Sequence, residues 1–264
     1  MDLGIHSPFL DFFRRGEVAR EIRLLAARGA LAPRAYEQVS LLALLTEDAD
    51  PEVRAICEET LAKIPSQRVA AFLGRSDVSE GLREFFKGRG IEPNLQDPAV
   101  TDDPLIDTAP EPEASTAEPG PAEESEPVRQ GAAQRLALMS VAERMKCAMK
   151  GVKEERAVLI RDPNKLVSVA VLSSPKLTES EVEGFSKMAN VSEEVLRIIG
   201  MNRAWIKNYG VVSGLAKNPK TPLSVALKFV QRLNDRDLKL ISLDRNLQEP
   251  LKLAVRKRLV TDKK

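Results

Sequence analysis

Histidine occurs once in these 264 residues, at His6, and tryptophan once, at Trp205. A single imidazole near the chain start removes most acid–base, triad and imidazole–metal mechanisms at once. Cysteine is almost as scarce. Cys57 and Cys147 lie in helical patterns on either side of a linker, neither near the histidine, and both read as reduced thiols. Aromatics make up only 4% of the chain, so its cores must be built from Leu, Val, Ile and Ala, a composition that favours stacked helices. No stretch approaches the roughly 18 apolar residues that span a bilayer, and Met1 is not followed by a basic and then an apolar segment. The expected location is the cytoplasm, away from membranes.

Phosphate-cradling glycine loops are missing too: Gly88 and Gly90 have the only tight spacing, without the lysine-containing helix start that such loops need. The acidic pairs Glu154-Glu155 and Glu193-Glu194 fall at helix starts, where compensation of the helix dipole explains them. No catalytic residue, metal ligand or cofactor is expected, and the chain does not read as an enzyme.

What the sequence does have is charge divided by sign. Residues 1–128 hold 13 Lys and Arg against 25 Asp and Glu; residues 129–264 hold 27 against 14. The overall balance of +1 hides this division, which suits an anionic partner for the basic half or association between the halves.

Helical periodicity runs through the first 91 residues. Ser7-Pro8 opens a short helix that Gly16 stops; further helices are expected over 17–27, from near Pro33, and from Asp50-Pro51, where the carboxylate caps and proline takes the first position. Two shorter ones follow around 69–73 and 82–86. Between residues 92 and 133 proline recurs and no Lys or Arg occurs from 90 to 128, the composition of a disordered acidic tether. Val100, Leu105 and Ile106 are its one apolar group, read either as a docking motif or as an accident of composition.

Residues 140–264 repeat. Ser140, Ser180 and Ser224 align at offsets of 40 and 44, and the same register pairs Asp162, Asn202 and Asn246, with Met145, Phe185 and Phe229 between them. Ser140 with Glu143, and Thr178 with Glu181, fit capping boxes; Thr221-Pro222 is expected to do the same work. Each repeat reads as three helices, in the second over about 179–188, 192–200 and 205–216. The shorter first repeat is explained by one turn missing from its third helix. The fold class is therefore all-α: two helical-repeat, α-solenoid-like domains, 1–91 and 134–264, joined by the disordered linker 92–133.

Two resemblances follow from particular residues. Leu41, Leu44 and Leu45, then Asp48 and Asp50, then Val53, Arg54, Ala55, Cys57 and Leu61 resemble a HEAT repeat, which implies a hydrogen-bonded ladder with Asp48 and Arg54 in its positions. The segment from Asn218 to Pro222, with Val225, Leu227 and Phe229, resembles the leucine-rich-repeat-variant class. The whole C-terminal array is similar to one in uncharacterised bacterial proteins, a resemblance that implies no activity.

The densest group of recognition residues is Arg203, Trp205, Lys207, Asn208 and Tyr209. On one continuous helix Trp205, Asn208 and Tyr209 share a face. They are either core between repeats, with Asn208 a cap, or aromatic anchors flanked by bases on a partner-binding surface. The expected function is a non-enzymatic scaffold or adaptor for protein partners. The alternative is nucleic-acid binding by the basic repeats, and it is weakened by the scarcity of stacking aromatics.

Overall fold

The computed structural model describes residues 7–32, 34–99, 101–106 and 126–261. His6, Pro33, Val100 and residues 107–125 of the expected tether lie outside these. The described residues form sixteen α-helices and two 3-10 turns, with no strand among them. They fall into two compact units, Met1–Gly151 with Ser173–Pro175, and Val152–Leu172 with Lys176–Lys264.

In the N-terminal unit α1 (Pro8–Arg14), α2 (Arg20–Ala27), α3 (Ala35–Leu45), α4 (Pro51–Lys63), α5 (Ser66–Leu73) and α6 (Glu80–Lys87) follow the expected order. Gly16 and Gly29 leave α1 and α2 with φ of +69° and +75°, a region that only glycine enters without strain. The third helix, α3, is buried on nearly every side: Val39, Leu41, Leu42 and Leu45 are at most 3% exposed. It packs against α1, α2, α4 and α6. Asp50 caps α4 as expected, accepting the Glu52 N–H at 2.9 Å. The implied ladder takes a different form. Arg54 donates to the main-chain carbonyls of Asp48 and Ala49, and the Asp48 carboxylate pairs with Arg23 of α2.

Residues 94–99 and 101–106, assigned by composition to the disordered tether, are held on this unit. Asn94 and Ala99 donate main-chain N–H groups to Ala70 and Ala71 at 2.8 Å, and Leu105 is buried. Composition misreads this stretch because the groups that order it sit on α3 and α5, far away in sequence. The tether's last residues enter α7 (Glu126–Ala137), and α8 (Val141–Lys150) packs on α2. Ser140 and Glu143 complete the expected capping box at the start of α8.

The C-terminal unit holds α9 (Lys153–Leu159), α10 (Lys165–Leu172), α11 (Glu179–Lys187), α12 (Glu193–Met201), α13 (Tyr209–Lys217), α14 (Leu223–Phe229), α15 (Asp235–Leu243) and α16 (Glu249–Thr261). A carboxylate or amide oxygen accepts the N–H two residues on at Asp162, Asn202 and Asp244, which sets the repeat register there at 40 and 42 residues. Asp244, not Asn246, is the third anchor. The missing turn is also relocated. From the cap of the third helix to the start of the next repeat, Asn164 to Thr178 and Asn208 to Pro222, the spacing is the same. The extra residues of the second repeat lie before α13, where Trp205–Lys207 form a 3-10 turn.

Thr178 and Glu181 form the expected capping box, and Glu181 does more. Its carboxylate receives the Arg156 guanidinium from α9 at 2.9 and 3.0 Å, with both side chains at most 4% exposed. Thr221 departs from expectation: α14 starts after Pro222 with no side-chain cap, and the buried Thr221 hydroxyl bonds to nothing in the described structure. Pro222 occupies the cap position itself, so no hydroxyl stands where the first free N–H groups point.

Helix α13 packs against α11, α12, α14 and α15. Its approach to α11 is close enough that a Cβ on Gly214 would stand 2.1 Å from Ser186 Oγ, and one on Gly210 2.3 Å from Glu183 Cδ. Gly184 of α11 faces open space. An alanine normally favours a helix over glycine by about 1 kcal/mol, so the two sites separate packing from propensity. Gly184→Ala should raise stability to denaturant by up to about 1 kcal/mol, whereas Gly214→Ala should lower it by about 2 kcal/mol. Glu181→Gln, which leaves the Arg156 charge buried without its counter-ion, should cost about 3 kcal/mol in the same unfolding measurement.

Candidate functional site

The five residues singled out in the sequence lie on the connection from α12 to α13, but not on one helix. Asn202 turns the chain after α12, Arg203 follows exposed, and the 3-10 turn carries Trp205 half-buried and Lys207 exposed. Asn208 breaks the helical path with φ −71° and ψ 121° and caps α13, its Oδ1 accepting the Gly210 N–H at 2.7 Å. The shared face expected of Trp205, Asn208 and Tyr209 is therefore not formed. A sequence of helix-compatible residues from Ala204 to Lys207 hides the break, and only the asparagine marks it. The turn is tied to the third repeat by Arg232, which donates to the Ile206 carbonyl at 2.5 Å.

Tyr209 is 41% exposed, yet its hydroxyl is committed. It donates to Asp237 Oδ2 of α15 at 2.6 Å and accepts the Asn234 N–H at 3.1 Å. Ser213 and Lys217, one and two turns further along α13, reach the same carboxylate at 2.8 and 2.6 Å. Spacing of four residues puts all three on one helical face, a signal present in the sequence but not tied to any catalytic pattern. Burial pushes the Asp237 carboxyl up, and hydrogen bonds from Lys217, then Tyr209 and Ser213, outweigh it and hold the group at about 2. Burial and the neighbouring carboxylate push the Tyr209 phenol up.

Chemically this cluster is a clamp. The Ser213 hydroxyl donates to a carboxylate too acidic to act as a base near neutrality, and the Lys217 ammonium is neutralised by the same group. Among the described residues no three His, Cys, Asp or Glu side chains are grouped to hold a metal ion. Cys57 is buried, donates to the Leu42 carbonyl, and has its thiol pushed up to about 12 by burial.

The surface around the connection is basic and partly aliphatic. Residues 203–261 contain 13 Lys and Arg against 4 Asp and Glu. Lys217, Lys252 and Arg256 spend their charge on Asp237 or Glu249. Arg203, Lys207, Lys220, Lys228, Arg236, Lys239 and Arg245 are exposed and make no ion pair among the described residues. The repeat register at 42 residues matches Met201-Asn202-Arg203 with Leu243-Asp244-Arg245. Each places an exposed aliphatic residue, Met201 at 67% and Leu243 at 79%, two positions before a free arginine. A sequence offset of 44 puts these triplets out of step and hides the match of Leu243 and Arg245 to Met201 and Arg203.

No protein-family model, curated protein or solved structure matches the chain. No described helix is long and apolar enough to cross a membrane.

The clamp fixes a pH dependence. Because the Asp237 carboxyl lies below its ordinary 3.8 in the folded chain, it contributes stability above about pH 4 that disappears as pH falls through 2. The stability gap between the unaltered chain and Asp237→Asn, followed by denaturant unfolding, should be constant from pH 7 to 4 and then shrink.

Proposed function

We propose that the chain is a non-enzymatic scaffold of two α-solenoid-like domains, the first akin to HEAT repeats and the second to the leucine-rich-repeat-variant class, and that the C-terminal repeats dock an acidic protein partner. The observation that carries this reading is the mixture on the last repeats: seven exposed Lys and Arg side chains that form no ion pair among the described residues, together with exposed Met201, Leu240, Leu243 and Leu253. Uncompensated bases steer and orient an anionic partner, and exposed aliphatics supply the apolar contact that gives it affinity. Arg203 and Lys207, with Arg245 in the next repeat, form the basic part of this surface. Trp205 and Tyr209 contribute less than their residue types suggest, since one is half-buried and the other spends its hydroxyl on Asp237.

Nucleic acid fits the charge but not the rest. Single strands want exposed aromatic platforms, and phosphate backbones gain nothing from Leu240 or Leu243. The partner is better matched by a protein segment carrying Asp or Glu beside aliphatic side chains.

Arg203→Glu, Lys207→Glu and Arg245→Glu together leave every described ion pair intact, so the folded state should survive. Affinity purification of the full chain with nuclease present should recover a protein partner that the charge-reversed chain loses by tenfold or more. Equal recovery contradicts the surface, and loss of recovery on nuclease treatment favours nucleic acid instead.

A further inference from the structure

The N-terminal unit holds residues 101–106 in the manner of a receptor holding a peptide. Gln38, 1% exposed, reads the segment with both ends of its amide: Oε1 accepts the Leu105 and Ile106 N–H groups at 2.7 and 3.0 Å, and Nε2 donates to the Ile106 carbonyl at 2.9 Å. A further bond from Nε2 to the Gly29 carbonyl at 2.8 Å fixes the amide in that orientation. Arg68 donates to the Leu105 carbonyl at 3.0 Å, and Arg75 to the Thr101 carbonyl at 3.1 Å. Asp102 is gripped most fully. Its carboxylate takes Arg75 at 2.8 Å and the Tyr36 N–H at 3.1 Å, while its carbonyl takes the Ala35 N–H at 2.9 Å.

Side-chain selection accompanies these main-chain contacts. Leu105 is the one side chain of the segment that is buried. Ile106 lies against Gly29, where an added Cβ would be 3.4 Å from its Cδ1. Asp103 is exposed and unread. Pro104 needs no donor partner, and it disposes the residue before it to extended backbone. Main-chain hydrogen bonds give such a contact its affinity, and the places taken by Asp102, Leu105 and Ile106 give it selectivity, with the backbone bent at Leu105 and Ile106.

We propose that this groove is a peptide-recognition site and that its partner is a protein segment of the form Asp-x-Pro-Leu-Ile, bent at its last two residues, which residues 102–106 occupy in its place. The occupancy is set by side chains of α3 and α5, by Arg75 just beyond α5 and by the first N–H groups of α3, not by a helix or strand ladder. A segment so held can be exchanged without breaking secondary structure. The resident copy competes at the high effective concentration of a short tether, roughly millimolar, so a segment on another chain gains access when the resident one is weakened or pulled away.

The test uses the full chain with its resident segment disabled by Asp102→Ala, Leu105→Ala and Ile106→Ala, and a labelled, end-blocked peptide with the sequence of residues 101–106. The peptide should bind this variant saturably and at least tenfold more tightly than the unaltered chain, and adding Gln38→Ala should weaken binding at least tenfold. No saturable binding, or binding equal to that of the unaltered chain, overturns the proposal. Should the triple variant fail to fold, the Asp102→Ala chain, which keeps Leu105, carries the same comparison: binding tighter than to the unaltered chain supports the site, and equal or absent binding overturns it.

Discussion

The close crossing of α13 over α11 is the constraint on which the C-terminal half depends. With few aromatics available, the repeats cannot fill wide gaps, and their helices must approach until aliphatic side chains interlock. Gly210 and Gly214 make that approach possible on one side of α13. One residue round the same helix, Tyr209, Ser213 and Lys217 converge on Asp237, so the other side is joined to α15 by charge and hydrogen bonds. A single nine-residue helix thus couples its own repeat to the next. The glycines lower its intrinsic helix propensity, and the packing that they permit offsets the loss.

The two couplings differ in kind, and the difference matters for what the surface can do. Arg156–Glu181 is enclosed, so its geometry is fixed by neighbours and costly to disturb. The Asp237 cluster reaches the surface through Tyr209 and Lys217. The exposed aliphatic side chains Met201, Leu240 and Leu243 belong to a unit in which the buried carboxylates Glu181 and Asp237 are paired.

Local chemistry was legible in the sequence, and distant chemistry was not. Ser140 with Glu143 and Thr178 with Glu181 were readable because a capping box is closed within four residues. The all-helical class followed from periodicity for the same reason. The break before α13 was missed because Ala204 to Lys207 are tolerated by an α-helix and a 3-10 turn alike, and the register was displaced by two residues because Asn246 resembles Asn202 more than Asp244 does. Residues 94–99 and 101–106 were misread most, since proline and acid suggested disorder while Gln38, Arg68 and Arg75 supplied order from positions roughly 25 to 70 residues away. Of the expected site, Arg203 and Lys207 are exposed as a recognition surface requires, whereas Asn208 serves the backbone and Tyr209 the clamp.

Native-state hydrogen exchange through α11, α13 and α15, recorded at rising denaturant, measures the coupling most directly. If α13 joins the second and third repeats, the helical amides of Val211 to Ala216, Val182 to Ser186 and Leu238 to Ile241 should converge on one opening free energy and be lost together. Exchange of α14 to α16 at low denaturant, while α11 and α13 remain protected, would show that the repeats open independently and would contradict the account.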